Sequence, residues 1–300
     1  MKMFYAVLAC CLFSVLSSDA GEGAVVGPPI EASRTGRVFE KDAHAGHDHK
    51  HDHKHGHKHG HGHDHGGIHF DHPILTEVPT PHNVASFGYS HTRTAEKAHV
   101  DSFEVGIEFS PVKWFSFEVA APVELVNPDE GRFVSGVGST EFAFKFASFH
   151  FEERGIVLAA GLEMGLPTGD DDKDIGSNNE VELEPFVTLG WKHDKFELIS
   201  VFGYGMAVNR SKGEPFAPGF GFQLSTLYHI HNKVALLCEV LGETELRGED
   251  RGTTTVEIAP GVKFKPWNST PIEFGVNAVL PVTDTRELDW SVGFGLFYHF

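Results

Sequence analysis

From His82 onward apolar residues recur at every second position, in runs of nine to thirteen residues parted by turns of Gly, Pro and charged residues. Period two is the side-chain period of a strand. The runs begin near Asn83, His99, Trp114, Gly138, Arg154, Glu180, Lys195, Pro218, Lys233, Thr253, Pro271 and Asp289, which predicts twelve strands. The last run is the most regular. Trp290, Val292, Phe294, Leu296, Tyr298 and Phe300 share one face, and Asp289, Ser291, Gly293, Gly295 and His299 the other, with Phe297 the apolar exception. An apolar face with aromatics at both ends, backed by a small or polar face, suits a wall with lipid outside and water inside.

A soluble sandwich would share that alternation, so the connections decide between the two. Those at Ser110 to Lys113, Lys192 to Asp194, His229 to Asn232 and Lys265 to Asn268 are short. Those at Val126 to Val137, Pro167 to Asn179, Asn209 to Ala217 and Gly242 to Gly252 are long and polar. Short turns on one side and long loops on the other are the habit of outer-membrane barrels. The predicted fold is therefore all-β: an antiparallel up-and-down transmembrane β-barrel of about twelve strands over residues 83–300. Its expected location is the bacterial outer membrane, with the N-terminal tail in the periplasm.

Composition agrees once the barrel is in view. The charged fraction of 22% and mean hydropathy of −0.18 suit a wall in which only alternate residues meet lipid. Lys2, the apolar run Met3 to Leu16 and the small residues up to Ala20 predict a signal peptide over residues 1–20. Its removal takes Cys10 and Cys11 away and leaves Cys238, so no intrachain disulfide is expected. A formal net charge of −18 argues against nucleic acid as a partner and in favour of cations.

Carboxylates on the polar faces give this charge a location. The same alternation turns Glu104, Glu108, Glu118, Glu141, Glu163, Glu182, Glu184, Glu197, Glu239, Glu257 and Glu273 toward the lumen, because a charge facing lipid is costly. Only Lys145 and Lys263 clearly join them there. Such an interior repels anions and concentrates cations.

Residues 21–82 show no periodic apolar face and read as a disordered linker. Within it, residues 44–72 carry His44, His47, His49, His51, His53, His55, His57, His59, His61, His63, His65, His69 and His72. Imidazoles at this density suit Zn, Cu, Ni and Co, with Zn the default, held as a labile pool of ions without fixed geometry. A solubilising or pH-sensing spacer is the alternative use of the same residues.

Three resemblances add to this. The final strand, with Phe294, Leu296, Tyr298 and terminal Phe300, resembles the insertion signal that the barrel-assembly machinery reads in bacterial outer-membrane proteins. Gly161 to Asp170, ending Leu166-Pro167-Thr168-Gly169-Asp170, followed by Glu182-Leu183-Glu184-Pro185, resembles a widespread family of outer-membrane barrels. That family is labelled as transporters or after the meta-pathway of phenol degradation. The likeness implies passage of small molecules and brings no catalytic residues. The His tract resembles the His-rich loops of zinc transporters and periplasmic zinc carriers.

An enzyme is not expected, because Ser90 beside His91 lacks a third, orienting group. The expected function is transport or handling of small solutes, divalent transition-metal cations first. The alternatives are a closed surface barrel with a metal-storing or pH-sensing tail, or a channel for small aromatic compounds. The sequence does not fix the oligomeric state.

A peptide of residues 44–72 should bind several Zn²⁺ ions in calorimetric titration at about pH 7.5. Affinity should fall steeply through about pH 6.5, since each imidazole must lose its proton to coordinate. Equal binding at about pH 5.5 would sink the imidazole account.

Overall fold

The structure, a computed structural model, describes residues 68–300 except Asp174, 209–217, 248–250 and 268–269. The expected signal peptide, most of the linker and the histidines from His44 to His65 lie outside the described residues. Thirteen strands form among the described residues: β1 (Val84–Thr94), β2 (His99–Val112), β3 (Phe115–Asn127), β4 (Val134–Val137), β5 (Glu141–Phe151), β6 (Ile156–Gly165), β7 (Val181–His193), β8 (Phe196–Val208), β9 (Gly219–His231), β10 (Val234–Glu245), β11 (Thr254–Phe264), β12 (Ile272–Pro281) and β13 (Leu288–His299).

All the pairings are antiparallel, and the sheet closes where β1 meets β13, from Val84 opposite His299 to Thr94 opposite Leu288. Closure joins the two ends of the wall, as the interior of a bilayer requires, and among the described residues leaves the short β4, paired only with β3, as the strand with a single neighbour. Twelve wall positions and thirteen strands are reconciled by β4. It pairs with the far end of β3 (Val123 to Val126), while β5 pairs with the near end (Phe115 to Ala120), so β4 and β5 share one place in the wall. The stretch Val126 to Val137, expected to be loop throughout, thus ends in a strand.

Thr168 secures the kink between these two pieces. Its hydroxyl donates to Gly138 O (3.0 Å) and accepts the Thr140 N–H (2.7 Å), and Leu166 N–H reaches Thr140 O (2.8 Å). The Leu-Pro-Thr-Gly-Asp motif therefore ties the β6–β7 loop to the wall. Ile175, fully buried, packs from the same loop against Gly136.

One end of the barrel carries Val84 and His299 together with most of the short turns, and is called here the turn end; the other is the loop end. The rule of short and long connections holds less strictly than expected. The β1–β2 turn at the loop end spans only Ala95 to Ala98, whereas Lys265 to Pro271 at the turn end is longer.

Faces follow the predicted alternation. Val105, Ile107 and Phe109 are exposed on the outside, and so are Phe202, Val276, Val292 and Tyr298. Glu104, Glu108, Glu118, Lys145, Glu197, Glu239, Lys263 and Glu273 are buried on the inside. Phe297 breaks the pattern because it packs inward, beside Val84 and beneath the Lys263 ammonium 4.9 Å from its ring. Two wall glycines make a direct test of packing. A Cβ on Gly161 would stand 2.6 Å from the Phe144 carbonyl oxygen and 2.2 Å from the Phe186 ring, whereas one on Gly221 would meet nothing within 4 Å. Gly161→Ala should therefore destabilise the barrel by about 1–3 kcal/mol, and Gly221→Ala should change it by less than about 0.5 kcal/mol, in urea unfolding of refolded protein.

Candidate functional site

Residues 68–82 enter the barrel, and this corrects the expectation of a disordered linker up to residue 82. Phe70, His72, Ile74, Leu75, Thr76, Val78, Thr80 and His82 are all buried. The segment holds Pro73, Pro79 and Pro81 and forms no helix or strand, so its order comes from the wall around it. Ile68, Phe70 and Val78 pack on Ala147, Val157, Ala159 and Ile199 of β5, β6 and β8. Ile74 and Leu75 pack on the opposite side, against Leu227, Leu237, Ala259, Val279 and Leu288. Burial of each large apolar side chain contributes about 1.5–3 kcal/mol. The wall is hollowed to receive them: a Cβ on Gly190 would stand 2.5 Å from both the Phe70 ring and Pro79, and one on Gly275 would stand 2.7 Å from Ile74.

A chain without secondary structure must find other partners for its amides when it is buried. Wall carboxylates supply them. Glu239, fully buried on β10, accepts the N–H of Leu75 (2.9 Å) and Thr76 (2.8 Å) at Oε1 and that of Ile74 (3.3 Å) at Oε2. Glu197 on β8 accepts the Asp71 N–H (2.8 Å), and its other oxygen is bridged by Lys192 (2.6 Å) and His229 (3.0 Å). Glu108 on β2 accepts the His82 N–H (3.3 Å).

The cations of the lumen sit among the same groups. Lys145 Nζ lies 2.5 Å from Glu77 of the segment and 3.0 Å from Glu108 of the wall. Glu273 gathers Lys263 (2.8 Å), Lys265 (2.7 Å) and His299 (3.1 Å), and Lys265 also reaches Asp71 (3.5 Å). Burial alone would depress the Lys265 ammonium, but Glu273 and Asp71 hold its pKa above the ordinary lysine value. The carboxylates of the turn half thus find lysines or, at Glu239, backbone amides as partners.

Beyond the segment the balance differs. Lumen-facing strand positions of the loop half carry Glu104, Glu124, Glu141, Glu163, Glu182, Glu184, Glu243 and Glu257, and among the described residues neither Lys nor Arg. Glu163 and Glu184 are paired across β6 and β7. Of the sequence-derived carboxylates, Glu108, Glu197, Glu239 and Glu273 serve the inserted segment or its lysine partners, Glu118 is buried near them, and the others line the loop half.

Two tract histidines are described. His69 is exposed, and its carbonyl accepts a bond from Lys192 (2.6 Å). His72 is buried, with its Nε2 against Nδ1 of His82, whose Nε2 contacts the Thr80 hydroxyl at 2.7 Å. Both imidazoles lie outside the spanning strands. Burial, then the neighbouring His82, His299 and Lys263, pushes His72 well below the usual value, and burial with Lys145 does the same to His82. Both rings are neutral at pH 7. Among the described residues no group of three or more His, Cys, Asp or Glu is arranged to hold a metal ion.

Ser90 and His91 take opposite faces of β1. Ser90 is buried toward the lumen, while His91 Nδ1 pairs with Asp101 at 2.9 Å.

No family model matches the chain, and no curated protein sequence matches it. Solved structures do. The COG4313 outer membrane channel from Pseudomonas putida F1 superposes with a TM-score of 0.59 at 14% identity, over 77% of this chain and all of that one. The NanC porin superposes with a TM-score of 0.51 at 10% identity, over 72% of this chain and 97% of its own. At such identities the likeness defines the fold, that of a bacterial outer-membrane barrel.

Lys145→Met would leave Glu77 and Glu108 facing each other without their cation. The expected loss is about 3–5 kcal/mol in urea unfolding, with partial recovery when Glu108→Gln is added, since that variant removes the stranded charge.

Proposed function

We propose that this barrel passes small solutes across the outer membrane and that these are small cations, divalent transition-metal ions foremost, gathered at the turn end by the His tract of residues 44–72. The observation that carries the reading is the row of glutamates on lumen-facing strand positions of the loop half, where the described strand residues include neither Lys nor Arg. In a narrow lumen with low-dielectric walls such a row raises the local concentration of cations and excludes anions. Neighbours of the same fold whose names are channel and porin favour passage of small solutes over a purely structural role. The turn end faces the periplasm in this reading, so the tract would meet ions at the inner mouth. With Zn²⁺ as the ion, the tract's imidazoles supply exchangeable nitrogen ligands.

A second reading, a closed surface barrel with a metal-storing tail, draws on the segment that fills the turn half. Planar-bilayer recording separates the two. Under an asymmetric KCl gradient the reversal potential should lie on the cation side, and Glu163→Gln with Glu182→Gln and Glu184→Gln should move it toward zero. Anion preference would overturn the cation reading. Absence of current at any voltage, with and without Zn²⁺, would favour the closed barrel.

A further inference from the structure

We propose that residues 70–82 are a releasable plug and that Glu239 is the latch that holds it in the lumen. This rests on the transport reading only for its purpose; the mechanical claim stands on the following geometry.

The wall is complete without the segment. Each strand from β1 to β13 finds its backbone partners in neighbouring strands, and the sheet closes through β1 and β13. The segment pairs with none of them. It joins the wall covalently only at its C-terminal side, where Asn83 leads into Val84. It can therefore leave toward the turn end without opening a single ladder hydrogen bond.

Its hold on the wall is concentrated. Of the backbone N–H groups given to wall carboxylates, three consecutive ones, from Ile74, Leu75 and Thr76, converge on Glu239. The others go singly, Asp71 to Glu197 and His82 to Glu108. Charge-assisted bonds to a carboxylate are about twice as strong as neutral ones, and three on one buried group make Glu239 the point of greatest leverage. Glu197 and Glu108 differ in kind, because Lys192 and Lys145 stand beside them whether or not the amides are present. Glu239 also occupies the far side of the lumen, next to the pocket that Ile74 and Leu75 share with Leu227, Leu237, Ala259 and Val279. When the latch fails, those two side chains lose their seat together.

Glu239→Gln keeps the shape but turns one acceptor into an –NH₂ that faces an N–H. Glu239→Asp keeps the charge but shortens the reach. The readout is attack by a membrane-impermeant maleimide on a cysteine placed at Thr76, in full-length protein that also carries Cys10→Ser, Cys11→Ser and Cys238→Ser. Thr76 is 1% exposed with the plug seated, so labelling reports release and needs no conductance. Glu239→Gln should label at least tenfold faster than the same protein with Glu239 intact, and Glu239→Asp should fall between them. Glu257→Gln, a lumenal change on β11 that removes none of these bonds, should label at the unaltered rate. Heat-modifiable migration establishes that each barrel is folded; if Glu239→Gln fails that check, Glu239→Asp carries the comparison.

Labelling of both folded Glu239 variants at the unaltered rate would overturn the latch. Acceleration by Glu257→Gln equal to that by Glu239→Gln would also overturn it, since general loosening would then explain the result. Bilayer recording on the same proteins keeps the two proposals apart: faster labelling with no gain in current supports the latch and counts against transport, whereas cation current with unaltered labelling does the reverse.

Discussion

Everything in this molecule follows from the need to pair each backbone N–H and C=O where water is absent. In the wall the need is met by closure. The β1–β13 ladder, formed from the two ends of the barrel sequence, pairs the first strand with the last. It also fixes the faces, because a one-residue slip in any ladder would turn the glutamates to lipid and the phenylalanines to the lumen. The registry of Gly88 with Gly295 and Ser90 with Gly293 places small residues of β1 and β13 on the lumenal side, where the inserted segment needs room.

Inside the barrel the same need is met differently. Three prolines keep residues 68–82 from forming a ladder of their own, so the amides that remain turn to carboxylates brought by distant strands: Glu108, Glu197 and Glu239. A carboxylate buried in such a place is costly unless several donors surround it, and amides buried there are costly unless acceptors do. Each solves the other's problem. Lys145, Lys263 and Lys265 complete the arrangement by bringing positive charge to the same level of the lumen.

The wall was legible in the sequence because its determinants are local. Alternation along β13 reveals which side meets lipid, and the inward assignment of Glu108, Glu197, Glu239 and Glu273 needs only period two. The plug was not legible, since Phe70, Ile74, Leu75 and Val78 have neither helical nor strand spacing and their partners lie between about 80 and 200 residues away in sequence. One signal pointed to it: Phe297, an aromatic on the small and polar face of the last strand, has its reason in the packed interior. β4 was hidden for a related cause. Its place in the wall depends on Thr168, two strands on, holding the kink at Gly138 and Thr140.

The two tiers of charge in the lumen then have a common origin. A carboxylate beside residues 68–82 is bound to amides, as Glu239 is, or to lysines as well, as Glu108 and Glu197 are, and belongs to the packed interior. One at the loop half, such as Glu182 or Glu184, stands on a lumen-facing strand position beyond residues 68–82. The same residue type, placed by the same period, thus performs different work at different heights. What separates the two tiers is where residues 68–82 lie in the lumen, a property of the folded chain that no strand pattern contains.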